Sequence, residues 1–264
     1  MRIDVVTLFP KMIETVTEYG VTGRALRHGL LQLATWNPRD FTTDNHRTVD
    51  DRPYGGGPGM VMKIEPLRRA IAAAKDNGDG NNSLVCCLSP QGKRFDQTLA
   101  GTMLDHHRHL ILVAGRYEGI DQRLIDREID MELSIGDYVL SGGEIAALAV
   151  IDTLTRLIPG VLGNQDSANQ DSFAAGLLEY PQYTRPEVLD DQKVPDILLT
   201  GDHQAIERWR MKQALGSTWR RRPDLLEKMT LTEHQQHLLD EYRRDSKQEL
   251  LNITMLEQGN EQNH

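Results

Sequence analysis

Three glycine-bearing segments of the sequence stand out because each follows a short run of strand-like residues. They are residues 89–92 (SPQG), 115–119 (GRYEG) and 136–144 (GDYVLSGGE). Glycine leaves the main-chain N–H and C=O groups of a loop uncovered by side chains, and such groups can hold an adenine and a ribose. Any one of these glycines could be an ordinary turn residue. Three such loops together predict a site that binds its ligand through the main chain.

The runs in front of these segments predict the elements that position them. Residues 84–88 (LVCCL) and 110–114 (LILVA) are apolar on both faces, which is typical of strands buried between helix layers in a parallel sheet. A strand is also predicted at 3–8, and helices at 65–75, 96–105, 121–129 and 144–157. The sequence therefore predicts an α/β fold, in which ligands bind beyond the carboxyl ends of the strands.

The pattern changes after Gly163. Residues 164–176 (NQDSANQDSFAAG) are polar, small and weakly periodic, which predicts a linker or loop. From Pro195 onward the sequence is helical and strongly charged. We therefore predict an α/β domain over residues 1–162, an interdomain linker over 163–174, a small helical domain over 175–245 and a frayed tail over 246–264.

Length, composition and cysteine use exclude several classes of protein. The chain has 264 residues, of which 39% are hydrophobic, and no apolar run approaches the ~20 residues that span a bilayer. The N-terminal apolar stretch contains Asp4 and lacks the cleavage site of a secretory signal. Cys86 and Cys87 are neighbours that would point to opposite faces of a strand, so they form neither an ordinary disulfide framework nor a zinc site. These features predict a cytoplasmic protein without a membrane segment.

Two common nucleotide-binding signatures are missing from the sequence. Gly92-Lys93 is followed by Arg94 rather than by Ser or Thr, so there is no P-loop. No GxGxxG motif follows the first strand, which argues against a standard dinucleotide-binding or Rossmann methyltransferase site. The histidines His106, His107 and His109 lack the cysteine or carboxylate spacing of a zinc site, and we predict that they form a solvated helix end.

Charge is segregated along the chain. The formal net charge is −9, which excludes a uniformly basic coat for nucleic acid, but residues 206–228 contain seven basic and three acidic residues. Trp209 and Trp219 lie among these cations. A helix that packs its tryptophans and solvates its arginines would also look like this, but the mixture favours RNA backbone contact and base stacking. We predict RNA contacts from Arg208, Arg210, Lys212, Arg220, Arg221 and Arg222.

Another glycine-rich stretch lies at residues 54–60 (YGGGPGM). It could be a flexible surface loop, or it could let the main chain approach a substrate closely. The charged residues just upstream favour the second interpretation. We therefore predict that His46 and Asp50 also contact RNA.

Together these motifs resemble those of a known family. The segments HRTVDDRPYGGGPGM, LSPQG, GRYEGID, SIGDYVLSGGE and DSF are similar to those of the bacterial tRNA (guanine-37 N1)-methyltransferases, the TrmD family, and the likeness runs from about residue 1 to about residue 240. The resemblance implies a knotted α/β domain (the SPOUT, trefoil-knot type) with a small C-terminal helical domain. It also implies S-adenosylmethionine as methyl donor, the anticodon stem-loop of tRNA as acceptor, a homodimer, and a magnesium ion whose ligands no residue pattern identifies.

The resemblance also assigns roles to individual residues. It makes Asp171 the general base that takes the proton from guanine N1, and Arg156 the cation that stabilises the charge developing on O6. Without the resemblance, Asp171 would be interpreted as a loop or helix-cap residue. The residues that would bind the donor are Leu88, Ser89, Pro90, Gln91, Gly92, Gly115, Glu118, Ile135, Gly136, Asp137, Tyr138, Val139, Leu140, Gly142 and Gly143. Of these, Gly142 and Gly143 are expected where the main chain approaches the donor or turns sharply.

Two alternatives stay open at this point. The chain could be a related knotted methyltransferase that acts on another RNA nucleotide, or an RNA-binding protein that keeps the fold without catalysis. Methyl transfer to a tRNA transcript would separate the silent protein from the enzymes, and a transcript with adenosine at position 37 would separate the two enzymes.

Overall fold

A computed structural model of the chain describes residues 1–78, 83–163 and 171–261, with side chains described up to residue 248. Its contacts divide the chain into two compact units, Met1–Ala168 and Asn169–His264. The division falls inside the segment 163–174 that the sequence predicts as a linker.

The first unit is built on a parallel sheet of five strands in the order β2-β1-β6-β5-β7. These strands are β1 (Arg2–Val6), β2 (Gln32–Trp36), β5 (Ser83–Arg94), β6 (His109–Ala114) and β7 (Met131–Ser134). Two short strands, β3 (Asp50–Asp51) and β4 (Val61–Met62), pair with each other in antiparallel fashion. The helices described in this unit are α1 (Pro10–Glu14), α2 (Gly20–Arg27), α3 (Ile64–Asp76), α4 (Gln97–His106), α5 (Gln122–Glu128) and α6 (Glu144–Leu157), with a 3₁₀ turn at Pro38–Phe41.

The α/β fold predicted from the sequence is confirmed. Every residue of β6 is buried, as its run of apolar side chains on both faces indicates. One face of the sheet packs against a core that includes Ala147 and Leu154 of α6, and the other face packs against Leu67 and Ile71 of α3. The four predicted helices correspond to α3, α4, α5 and α6.

Strand β5 is interrupted at the point where it leaves the sheet. Both Leu88 and Lys93 lie opposite Leu133 of β7, so residues 89–92 loop out between two paired segments of one strand. Gly92 permits this return, because a Cβ atom there would overlap the main chain of Glu132. The SPQG segment is therefore held at the carboxyl edge of the sheet.

A buried ionic cluster surrounds Asp4, the middle residue of β1. The Asp4 carboxylate accepts hydrogen bonds from Arg2 Nε at 2.6 Å and Trp36 Nε1 at 2.7 Å, and His109 Nε2 lies 2.7 Å from it. Burial would raise the pKa of Asp4, but these hydrogen bonds and the Arg2 charge hold that pKa below its ordinary value. The prediction of a solvated helix end is wrong for His109, which begins β6 and is buried beside β1 because Arg2 and His109 are paired in register.

The second unit is helical around a small apolar core. Its helices are α7 (His203–Arg221), α8 (Pro223–Leu226) and α9 (Glu233–Glu261), with a 3₁₀ turn at Asp196–Leu199 and a hairpin of β8 (Val188–Leu189) and β9 (Gln192–Lys193). Leu215 of α7 and Leu238 of α9 are fully buried, and Gly216 lies directly against the ring of Tyr242. Helices α7 and α9 therefore pack closely.

The frayed tail predicted for residues 246–264 differs from the structure, in which α9 continues as backbone to Glu261. The leucines, glutamates and methionine of this stretch are good helix formers, and no proline interrupts them. Among the residues described in both units, no helix is both long and apolar enough to cross a bilayer.

Candidate active site

A cavity of about 400 Å³ opens at the carboxyl ends of β5, β6 and β7. The three glycine-bearing segments form its walls, as expected for loops that follow parallel strands. Of the residues predicted to bind the donor, those that line the cavity are Leu88, Ser89, Pro90, Gln91, Gly115, Glu118, Ile135, Gly136, Tyr138, Val139, Leu140, Gly142 and Gly143. Gly92 and Asp137 are not among its lining residues. Gly92 instead packs against β7 and thereby shapes the wall.

Two walls of the cavity touch each other at Gly142 and Gly143. The Gly143 N–H donates to the Gly115 carbonyl oxygen at 2.9 Å. A Cβ atom on Gly143 would lie 2.7 Å from Ala114 Cα, and one on Gly142 would overlap the side chain of Arg116. Neither glycine has a positive φ. Close contact between the two loops, rather than a left-handed conformation, therefore accounts for glycine at both positions.

The GRYEG loop is also tied to the glycine-rich stretch at 54–60. Glu118 N–H donates to the Met60 carbonyl oxygen at 2.9 Å, and Met62 N–H donates to the Gly119 carbonyl oxygen at 3.0 Å. Gly59 lies so close to the Glu118 side chain that a Cβ atom there would overlap it. The YGGGPGM stretch is therefore anchored at its end to a wall of the cavity.

The two residues upstream of this stretch that are predicted to contact RNA lie in different surroundings. Asp50 is half-buried in β3 and lies opposite Met62 of β4, which is the residue bonded to the cavity wall. His46 is exposed in the preceding loop. Asp50 is thus connected to the cavity through the short ladder of β3 and β4. His46 is accessible to a large ligand.

A buried ion pair that the sequence analysis missed lies behind the cavity. Glu144, the first residue of α6, is fully buried, and its carboxylate accepts hydrogen bonds from Arg116 Nε and Thr7 Oγ1, both at 2.8 Å. The signal in the sequence is a charged residue in each of two glycine motifs, an arginine in GRYEG and a glutamate in SGGE. Besides Arg116, the residues that line the cavity but were not predicted to bind the donor are Cys87, Tyr117, Gly119, Ile120, Gln122, Ile125, Glu132, Leu133, Ser134, Ser141 and Ala146.

Cys87 lines the cavity but is not a nucleophile. Burial raises the pKa of its thiol to about 12, with a smaller contribution from the charge of Glu132. Cys86 is buried as well, and burial likewise raises its pKa to about 12. Both thiols therefore stay protonated at neutral pH.

The basic residues of the second unit are less available than their number indicates. Arg208 pairs with Glu241 at 2.6 Å, Lys212 pairs with Asp245 at 2.6 Å, and both carboxylates belong to α9. Arg210 pairs with Glu207 at 2.7 Å. Arg220 and Arg221 are exposed near the end of α7.

The tryptophans of the second unit are also engaged within it. Trp219 packs against the core and lies under the guanidinium of Arg243, 5.1 Å from its ring centre. Trp209 contacts Tyr183 at a ring distance of 6.3 Å. For Trp219, the interpretation as a packed helix residue therefore fits better than base stacking.

Asp171 lies in a folded turn at the start of the second unit. The Ala174 N–H donates to the Asp171 carbonyl oxygen at 3.2 Å, and the Glu179 N–H donates to Ser172 Oγ at 3.0 Å. The turn continues into Leu177, which is buried in the core of the unit. The part of the predicted linker at 164–170 lies outside the described residues.

The ring of Phe173, two residues after Asp171, makes a cation–π contact. The Arg222 guanidinium lies 5.9 Å from the centre of its ring and also bonds Asp224 at 2.7 Å. Phe173 has a φ of 73°, a left-handed conformation that a bulky residue adopts only when its surroundings fix it. The DSF motif is thus a constrained turn rather than a loose connection.

Arg156 lies in the last turn of α6, in the first unit. The helix begins at the cavity, and a helix rises about 1.5 Å per residue, so Arg156 lies roughly 18 Å along the axis from Glu144. The structure therefore does not bring Arg156 to the cavity of its own chain.

Comparison with known proteins identifies the family. A family model described as tRNA (Guanine-1)-methyltransferase TrmD matches residues 1–228. The chain belongs to the TrmD family. A Photorhabdus laumondii protein named tRNA (guanine-N(1)-)-methyltransferase is 58% identical over 252 residues, which cover 96% of this chain and 100% of the relative.

Further relatives of the same name show equal similarity. The Aeromonas hydrophila protein is 59% identical over 93% of this chain and 98% of its own length, and the Klebsiella pneumoniae protein is 57% identical over 94% and 97%. TrmD membership confirms the resemblance drawn from the motifs. It also identifies the parallel sheet with its flanking helices as the knotted α/β fold of the SPOUT type.

Proposed function

We propose that this chain transfers the methyl group of S-adenosylmethionine to N1 of guanosine 37 in tRNA. The observation that carries the proposal is the cavity of about 400 Å³ at the strand ends of a TrmD-family fold, formed by the three family motifs. The family gives the reaction, and the cavity gives a place for the methyl donor.

The cavity suits this donor chemically. Its glycine-bearing walls present main-chain N–H and C=O groups to an adenine and a ribose, and Leu88, Ile135 and Leu140 supply apolar surface for the flat base. When bound, the donor supplies a methyl group on a positively charged sulfur. We assign donor binding to the motif residues that line the cavity.

Asp171 is the proposed general base. Guanine N1 carries a proton that must leave before N1 can attack a methyl carbon, and a carboxylate at hydrogen-bond distance can take it. The constrained DSF turn supports this role because it fixes the main chain around Asp171. As the proton leaves, negative charge grows on O6, where the guanidinium of Arg156 would stabilise it.

The position of Arg156 supports a homodimer. At roughly 18 Å along α6 from the cavity of its own chain, an arginine side chain can act on a methyl-transfer site only in a second chain. Large apolar side chains are also exposed around the cavity walls, as expected of a surface that a partner covers. They are Phe9, Tyr117, Tyr138, Val139 and Ile145.

The anticodon stem-loop of tRNA is the proposed acceptor. Asp50 and the 54–60 stretch adjoin the cavity, and the exposed Arg220 and Arg221 offer charge to the phosphate backbone. We also propose RNA contacts for Arg208, Arg210, Lys212 and Arg222 of the second unit, each of which shares its charge with a carboxylate. A tRNA substrate also places the enzyme in the cytoplasm.

Magnesium is part of the proposal only because the resemblance to the family implies that the reaction depends on this ion. Within the described ranges, no three His, Cys, Asp or Glu side chains lie close enough together to hold a metal ion. Magnesium commonly keeps several waters and binds through substrate oxygens. We assign no step of the reaction to it.

Methylation of two tRNA transcripts tests the proposal. With labelled S-adenosylmethionine, the purified chain should methylate a transcript with guanosine at position 37 and leave a transcript with adenosine there unlabelled. Label on both transcripts would indicate a methyltransferase for another nucleotide. Label on neither, with intact RNA binding, would indicate a catalytically silent RNA-binding protein.

A further inference from the structure

Three segments that are distant in the sequence meet at the carboxylate of Glu144. Oε1 accepts a hydrogen bond from Thr7 Oγ1 and Oε2 accepts one from Arg116 Nε, both at 2.8 Å. Thr7 and Glu144 are fully buried, and the Arg116 side chain is only 18% exposed. We call these three residues the Glu144 clamp.

Each member of the clamp also fixes the main chain around it. Thr7 Oγ1 accepts the Phe9 N–H at 2.9 Å, and the Arg116 guanidinium lies 4.4 Å from the centre of the Phe9 ring. Arg116 Nη1 donates to the Ser141 carbonyl oxygen at 3.1 Å. The clamp therefore connects the end of β1 to two different walls of the cavity.

The burial of the clamp limits what it can do. A carboxylate taken out of water is costly unless an opposite charge and hydrogen bonds compensate it, and Glu144 has one cation and one hydroxyl as its compensation. If a wall moves, Arg116 moves with it and leaves Glu144 buried without its cation. The ion pair thus penalises any change in the separation of the two walls.

We propose that Glu144 is a positioning residue that holds the GRYEG and SGGE walls at the separation the methyl donor requires. It acts through Arg116, which lines the cavity, whereas Glu144 itself does not. The inference rests on the proposed function in so far as the ligand is S-adenosylmethionine. The clamp itself is a property of the chain alone.

Strand β1, which ends just before Thr7, supplies a matched control. Asp4 in its middle is another fully buried carboxylate paired with an arginine. No residue of its cluster lines the cavity. Asp4→Asn and Glu144→Gln therefore remove equal charges from equally buried sites, but only the second should disturb the walls.

The experiment measures binding of S-adenosylhomocysteine, the demethylated donor, by titration calorimetry. Glu144→Gln keeps the volume and an acceptor for Thr7 but turns an N–H₂ group toward Arg116, so the Kd should rise by roughly tenfold or more, the scale of a hydrogen bond to a charged group. Asp4→Asn should bind within about twofold of the wild type. Equal weakening in both variants would reduce the clamp to general stability and overturn the proposal.

A second pair of variants covers the case in which Glu144→Gln does not fold. Thr7→Val has nearly the same shape but loses the hydroxyl, whereas Thr7→Ser keeps it. The valine variant should bind S-adenosylhomocysteine more weakly, by about threefold or more, and the serine variant should bind normally. Normal binding by Thr7→Val would overturn the proposal in that case.

Hydrogen exchange of the free protein separates a failure of the clamp from a failure of the proposed function. The Gly143 amide, bonded to Gly115, should exchange faster in Glu144→Gln and Thr7→Val than in Asp4→Asn. If the wild type does not bind S-adenosylhomocysteine, the proposed function fails, and this measurement still decides the clamp. Unchanged exchange of Gly143 in both clamp variants would show that the walls do not depend on Glu144.

Discussion

Two buried carboxylates are tied to the first strand, one at its middle and one just beyond its end. Asp4 is surrounded by Arg2, Trp36 and His109, all of which belong to three adjacent strands. Glu144 is bonded instead to residues just beyond strand ends, Thr7 after β1 and Arg116 after β6. One carboxylate joins regular elements to each other, and the other joins loops.

This difference shows why two similarly buried carboxylates have different roles. Around Asp4, partners come from strands whose register is fixed by main-chain hydrogen bonds, so the ionic cluster adds to a geometry that exists without it. Beyond the strand ends, the two walls are joined by the Gly143–Gly115 main-chain hydrogen bond and a β-bridge between Arg116 and Gly142, and the Glu144 clamp adds side-chain bonds at the same place. A functional cavity therefore forms where the sheet no longer determines the positions of its residues.

The largest effect is expected at a third carboxylate, Asp171, which we propose acts in the reaction itself as the general base. Asp171→Asn should lower the single-turnover methylation rate by ~10²-fold or more, in line with general-base contributions, while the affinities for donor and tRNA change little. Near-normal single turnover by Asp171→Asn would reduce the residue to a turn former.

Arg156→Ala sharpens that test. It should also slow the chemical step, because it removes the stabilisation of the charge that develops on O6 while leaving the proton acceptor in place.

The next effect concerns the contact between the two walls. Gly143→Val places a branched side chain against the Ala114 main chain, which should force the walls apart. Overpacking of this kind costs about 1–3 kcal/mol, so S-adenosylhomocysteine should bind roughly 10- to 100-fold more weakly. Gly101→Val, in α4 with open space around it, is the control for helix destabilisation. If Gly143→Val bound S-adenosylhomocysteine with wild-type affinity, ligand binding would not depend on the contact between the walls.

Asp4→Asn should show the converse behaviour, with lower stability and normal ligand binding. The ordinary pKa of Asp4 is 3.8 and its folded-state pKa is lower, so its interactions stabilise the fold at pH values above 3.8 and are lost as the pH falls from there through the folded-state pKa. Asp4→Asn should therefore unfold at a lower temperature at pH 7. Calorimetric scans should show the gap to the wild type closing below pH 4, and a gap independent of pH would contradict the assignment.

The smallest effect is expected from the exposed cations of α7. Replacing Arg220 and Arg221 together with Ala should weaken tRNA binding and lower the slope of log K against log salt by roughly two units, one for each phosphate contact. Donor binding should stay intact. Arg208→Ala, which removes a single cation of α7 together with its Glu241 pair, is the comparison and should lower the slope by no more than about one unit. Equal slopes in all three proteins would show that this surface does not meet RNA.

Local patterns predicted the scaffold of the cavity well. The apolar runs at 84–88 and 110–114 are strands buried on both faces, and the glycine segments that follow them meet at one edge of the sheet. These features depend on residues close in sequence and on the common geometry of parallel sheets. The spacing of Ile145, Leu148, Ile151 and Leu154 likewise predicted α6.

Long-range pairings were beyond the reach of these patterns. His109 meets Asp4 across 105 residues, and Arg208 meets Glu241 across 33. Nothing in the local sequence tells a histidine at a helix end from one at a strand start, or a solvated arginine from one that a later helix neutralises. The basic segment at 206–228 therefore looked more exposed than it is.

The central place of β6 has a consequence for the order in which the chain assembles. Strand β1 pairs with β2 and β5 pairs with β7, but only β6 joins these two pairs into one sheet. A growing chain that has not yet released residue 114 from the ribosome therefore holds β1 with one open edge and cannot enclose Asp4, whose histidine partner arrives with β6. Arrival of β6 allows β5 to join β1 and brings His109 to Asp4. Strand β7 and helix α6, whose residues belong to the sheet and its core, follow later in the chain, so the sheet is completed in two steps.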